Sequence, residues 1–151
     1  MRSVDYYFEH IIGRARERGN PFVAILVDRY SGEILSEGRD RHPENPILHS
    51  ETDAIHHVVG LRTRGKDISL SDAVMFTTAE PCPMCQAAII WSGIPEVYYG
   101  ATRPYLVSLG INAFTMRAET LLADARNYYE GKLIPSHTDE CHALFDDLVQ
   151  R

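Results

Sequence analysis

The chain is short of cysteine, lysine and long apolar runs, and each shortage removes a class of answer. Its three cysteines are an odd number, two of them separated by only two residues and the third, Cys141, remote. That argues against a disulfide framework and fits a reducing cytoplasm. The longest apolar run, Phe22 to Val27, is far too short to span a bilayer, and the opening MRSVDYYFEH lacks the apolar core of a signal peptide. A soluble, cytoplasmic protein without membrane contact is the expectation. Only two lysines are present, Lys66 and Lys132, the arginines are split between distant segments, the formal charge is −6 and the C-terminal stretch is acidic. A polyanionic partner needs a concentrated basic face, so nucleic acid is disfavoured and a small neutral ligand fits better. Repeats, low-complexity tracts and linkers are also missing, and 44% hydrophobic content over 151 residues suffices for one core, so 1–151 reads as a single domain.

Periodicity organises what is there. Val4, Tyr7, Phe8, Ile11, Ile12 and Ala15 recur at helical spacing until Gly19-Asn20-Pro21 stops them. Residues 22–28 and 33–37 read as two strands joined through Tyr30-Ser31-Gly32, an antiparallel hairpin, and 40–48, with two prolines, as loop. A second helix starts near Ser50 and ends in the 60–65 region. Residues 73–77 are a third strand, Pro83 opens a third helix running to about Ser92, and 96–99 are a fourth strand. The last 50 residues read as mostly helical, with a final helix from Thr138. Strands alternating with helices after a hairpin predict a layered α/β fold with a partly parallel sheet.

Two strings carry the chemistry: His49-Ser50-Glu51 and Pro81-Cys82-Pro83-Met84-Cys85. Cys82 and Cys85 share one face of a helix start, where free backbone N–H groups and the helix dipole favour thiolate. His49 and Glu51, two apart, can reach one site only if His49 stands just outside its helix. Thiolates and imidazole suit zinc rather than magnesium or calcium. Three ligands with one spare acid describe a catalytic zinc site, which keeps its fourth position for water, rather than a closed structural one. Zinc would lower the pKa of that water, and Glu51 would take its proton.

The pair of strings resembles the zinc-dependent cytidine deaminase-like superfamily, whose signature is H-x-E followed by P-C-x-x-C. The longer TTAEPCPMCQAAIIWSGIPEVYYG is similar to the cytosine and guanine deaminase branch, which also includes tRNA adenosine deaminases. The resemblance covers most of residues 21–114. It implies a three-layer α/β/α sandwich with a five-stranded mixed sheet, commonly a homodimer. It also implies a Zn2+ cofactor on His49, Cys82 and Cys85, with Glu51 as catalytic proton shuttle in hydrolytic deamination of a free nucleobase or related amino-heterocycle.

Departures from the family fall on the substrate side. Pro21-Phe22-Val23-Ala24 stands where the family has Pro-Phe-Gly-Ala, making Phe22 the candidate for packing on the ring and Val23 a source of bulk that narrows the pocket. Asp40 occupies the place of an Asn that binds the base, and an ionised Asp only accepts hydrogen bonds. Gly110-Ile111-Asn112-Ala113 aligns with the G-F-D-[DE] of guanine deaminases but lacks both acids, which leaves Asn112 as the matched substrate-binding candidate and places cytosine or isocytosine beside guanine. Two other readings stay open: a tRNA adenosine deaminase-like editing enzyme, disfavoured by the scarce lysines, and a non-catalytic zinc-stabilised binding module. A thioredoxin-like redox pair would leave His49 and Glu51 unexplained. Trp91 is expected in core or subunit packing and Asp53 as a solvated helix acid, while Tyr105 sits in a loop that in this family can cover the pocket, the minority reading for it. Cys141, His137 and His142 only imitate a second metal site.

Overall fold

The computed structural model describes residues 1–111 and 114–149. A five-stranded sheet runs through its centre in the order β2-β1-β3-β4-β5, formed by β1 (Val23–Asp28), β2 (Ile34–Arg39), β3 (Ala73–Ala79), β4 (Glu96–Ala101) and β5 (Lys132–Pro135). β1 is antiparallel to both neighbours, whereas β3, β4 and β5 are mutually parallel. Parallel neighbours require crossover connections. α3 (Pro83–Ser92) links β3 to β4, and α4 (Arg103–Ser108) and α5 (Ala118–Asp124) lie between β4 and β5. The remaining helices are α1 (Val4–Arg18), α2 (Ser50–Thr63) and α6 (Thr138–Val149).

Strand alternation divides the core in two. Val23, Ile25, Val27, Val74 and Phe76 pack with Tyr7, Phe8 and Ile11 of α1 and Leu144 and Phe145 of α6. Leu26, Met75 and Val97 pack with Ala54, Ile55 and Val58 of α2 and Ile89 of α3. Helices therefore cover both faces, giving the three-layer α/β/α arrangement that the resemblance implies. Phe76 anchors the first half, stacked on Tyr98 at 5.0 Å and tilted against Tyr7 at 4.6 Å. Burying a side chain of that size contributes about 1.5–3 kcal/mol.

Short-range signals set most boundaries. Ser3 caps α1 by accepting from the Tyr6 N–H at 3.1 Å, and Gly19 closes it at φ 65°, a left-handed conformation that favours glycine. The exception is β5, which lies in the stretch that reads as mostly helical. Its four residues, none fully buried, are too few to show a period, and pairing with β4, Val97 opposite Leu133 and Tyr98 opposite Ile134, makes them a strand. Among the described residues no helix is long and apolar enough to cross a membrane.

Candidate active site

The starts of α2 and α3 meet beside β3. His49 is the N-cap of α2 with extended backbone (φ −74°, ψ 173°), and Cys82 is the N-cap of α3 (φ −68°, ψ 168°), followed by Pro83 in the first turn. Neither side chain caps its own helix. They turn to each other instead: His49 Nδ1 lies 3.5 Å from Cys82 Sγ and 3.6 Å from Cys85 Sγ. Since His49 precedes the helical spiral, it shares a site with Glu51 although the two are only two residues apart.

Tetrahedral zinc, with bonds of about 2.05 Å to nitrogen and 2.3 Å to sulfur, holds the two donor types about 3.6 Å apart. The observed separations match, and the three donor atoms all lie within 4.8 Å of one another. The donor set fits zinc. Its charges agree, for hydrogen bonding from Cys85 and then from His49 outweighs burial and draws the Cys82 thiol down to about 4. Cys85 moves up, because it donates to Cys82 and is buried, and the same Cys82 raises His49. A bound dication deprotonates coordinating thiols outright.

Glu51 is buried and unligated beside this trio. Thr77 Oγ1 donates to its Oε1 at 2.8 Å and Ser50 Oγ to its Oε2 at 3.1 Å, so both oxygens are oriented. Burial first, and then the charge of Cys82, push its carboxyl above the ordinary range, while the Thr77 bond pulls the other way.

These side chains open on a cavity of about 220 Å³. Phe22, Asp40, His49, Glu51 and Cys82 all line it, and Cys85 joins them through the donor trio rather than the cavity wall, so the structure brings together every described member of the expected site. Phe22 is held edge-on by Phe145 at 5.0 Å. Asn112 lies outside the described residues, although Ile111 before it reaches the cavity wall. Asp40 arrives through a close approach: a Cβ at Gly38 would lie 1.9 Å from the Ser50 carbonyl oxygen, so only glycine lets β2 press on the first turn of α2.

Three readings need correction. Asp53 is no solvated acid: fully buried, it accepts from the Arg39 N–H at 3.0 Å and from Arg41 Nε at 2.6 Å, fixing both neighbours of Asp40. Val23 narrows no pocket, because its side chain faces the core under α1 and is absent from the cavity wall. Tyr105 stacks on His142 and donates to Asp146, which turns it towards α6. Sequence reasoning also missed Thr77, Glu80 and Arg103. Glu80 is buried at the cavity and accepts from the Arg103 and Ala118 N–H groups and from Arg117 Nε, each at 3.0 Å. An acid placed between an apolar strand and Pro81 was the available signal. Its partners lie too far along the chain for any local pattern to name them.

The family model for the cytidine and deoxycytidylate deaminase zinc-binding region matches residues 4–101, and the chain belongs to that family. Among curated relatives, the probable cytosine deaminase of Schizosaccharomyces pombe is 38% identical over 98 residues, which make up 64% of this chain and 57% of that protein. The guanine deaminase of Bacillus subtilis is 35% identical over 85 residues, 55% of this chain and 51% of its own. The chain thus spans about half the length of these relatives. The solved structure of a guanine deaminase from Nitrosomonas europaea superposes with a TM-score of 0.82, covering 100% of this chain and 87% of that one at 20% identity, a likeness of fold.

Proposed function

We propose that this chain is a zinc-dependent hydrolytic deaminase of a free nucleobase or related amino-heterocycle, of cytosine, isocytosine or guanine type, releasing ammonia. The observation that carries the reading is the buried, unligated Glu51 carboxylate beside three donors at zinc spacing. His49, Cys82 and Cys85 would hold the metal, which when bound supplies a water acidified towards neutrality. Glu51 would take one proton from the attacking water and give it to the ring nitrogen beside the carbon under attack. It would then take the second proton from the newly added hydroxyl and give it to the amine, so that a C–O bond forms, the C–N bond breaks and ammonia leaves. Thr77 and Ser50 keep both its oxygens in place through these transfers. Phe22 offers the ring a wall, Asp40 accepts an N–H of the base, and Asn112 is a third contact. A cavity of about 220 Å³ suits a single base rather than a larger ligand. Relatives named as cytosine and guanine deaminases support the same class.

Replacing Glu51 by Gln tests the assignment. Ammonia release should fall by about a hundredfold or more while zinc content by elemental analysis is unchanged. Retained activity overturns the role.

The reading extends to assembly and compartment. Trp91 and Tyr128, 74% and 67% exposed with ring centroids 5.2 Å apart, form an apolar patch between α3 and the segment after α5 that supports a homodimer. A monomer in sedimentation equilibrium overturns it. The free cysteines support a reducing cytoplasm, and one sheet serving both core halves supports 1–151 as a single domain.

A further inference from the structure

Arg103 is 2% exposed, lines the same cavity as Glu51 and Asp40, and has no carboxylate within ion-pair distance among the described residues. Its backbone N–H and its Nη2 are both used on Glu80, the first on Oε1 at 3.0 Å and the second on the main-chain carbonyl. The Glu80 carboxylate itself is claimed by Arg117, whose Nε reaches both its oxygens at 3.0 Å. Arg103 Nε is buried without a partner among the described residues. Nη1 makes no hydrogen bond to a described residue and, unlike Nε, is not sealed off. A guanidinium carries five donors in a fixed fork and no acceptor, and leaving a charged buried donor unmatched is costly. Packing alone does not require it, since an apolar side chain of similar length would fill the space at no such cost. Glu80, two residues before Cys82 in the chain, fixes the fork.

Resting on the deaminase reading above, we propose that Arg103 is a specificity-determining residue, which with Asp40 reads one edge of the ring: an exocyclic oxygen that accepts from Arg103, beside a ring N–H that donates to Asp40. One wall offers only donors and the other, as a carboxylate, only acceptors. The edge that satisfies both is a lactam, –NH–CO–. Asp53 prepares the acceptor side by holding Arg39 and Arg41, and Glu80 prepares the donor side, so both walls are fixed before the ring arrives. The substrate class narrows to amino-heterocycles that carry an oxo group; cytosine, isocytosine and guanine qualify, whereas adenine and 4-aminopyrimidine do not.

The test compares rings as well as side chains. Binding of cytosine and 4-aminopyrimidine, and of guanine and 2-aminopurine, to the zinc-loaded protein is measured by calorimetry, with ammonia release followed separately. Each oxo ring should bind about 10- to 100-fold tighter than its partner without the oxygen. In Arg103→Met that preference should collapse, mainly by weaker binding of the oxo ring, and Arg103→Lys should restore part of it. Equal binding of both rings to the wild type overturns the proposal, as does failure of every oxo ring to bind. An Arg103→Met protein that binds every ring less well by the same factor shows a structural role only and overturns it too. Should that variant fail to fold, the comparison of rings on the wild type still decides. Rings that bind in an Arg103-dependent way without releasing ammonia overturn the deaminase reading and leave the recognition of the edge standing.

Discussion

Cys82 and Cys141 both lie at the start of a helix, both are buried, and they sit at opposite extremes of acidity. Cys82 is drawn down to about 4 by hydrogen bonds from Cys85 and His49, whereas Cys141 is pushed up to about 12, chiefly by burial and further by the charge of Glu140. A helix N-terminus alone therefore does not ionise a thiol here. Partners do, and Cys141 has none that donates strongly. The two histidines beside it are engaged elsewhere: His137 stacks on Phe8 and pairs with Asp5, while His142 Nε2 accepts from the Thr102 N–H at 3.2 Å. Carboxylates repeat the contrast. Glu51, without a cation in contact, moves up; at Glu37 burial also pushes up, but hydrogen bonds from Arg14 and His10 and the charges of Arg18 and Arg14 win and hold it down.

The widest separation between the two cysteines should appear on mutation. Cys82→Ser is expected to lower zinc affinity by more than about a hundredfold and to remove ammonia release with it, while Cys141→Ala leaves zinc stoichiometry and turnover intact. Elemental analysis and an ammonia assay read both, and equal losses would erase the distinction. A middle-sized effect lies in the packing around Cys141. A Cβ at Gly100 would come 2.2 Å from Cys141 Sγ and 2.9 Å from the Thr78 carbonyl oxygen. Gly100→Ala should cost about 2–3 kcal/mol in urea unfolding, and adding Cys141→Ala should return part of it. Unaltered stability of the single variant would show that α6 is not packed tightly on β4.

The smallest effect concerns Glu37. Its folded pKa lies below the unfolded value of about 4.3, so its contribution is present above that value and is lost as pH falls through the folded pKa. Stability of the wild type relative to Glu37→Gln should therefore shrink below about pH 4, by roughly 1 kcal/mol or less because the ion pairs are partly exposed. A difference that grows on acidification would reverse the assigned sign.

Legibility followed the range of the signal. The helix starts at His49 and Pro83, the stop at Gly19 and the α/β alternation are written within a few consecutive residues; the convergence of His49 on Cys82 and Cys85, 33 and 36 positions away, was legible because each of the two short strings names its own donors and the pair resembles one family signature. What escaped depends on partners brought together only by folding. Thr77 meets Glu51 across 26 positions and Glu80 meets Arg117 across 37. Asp53 looks like any acid in a first helical turn until Gly38 lets β2 close over it. Trp91 lost only the core half of its expectation, since Ile89 and Ile90 are buried while it is exposed, which leaves subunit packing.

Glu80 ties the starts of two helices to one side chain. One carboxylate receives the amide at the start of α4 and, fourteen and fifteen residues later, the side chain of Arg117 and the amide of Ala118. The stretch between them leaves from and returns to a single post located two residues before Cys82. Both ends of the stretch are thus held by one buried carboxylate, so a change at Glu80 would release the start of α4 and the start of α5 together.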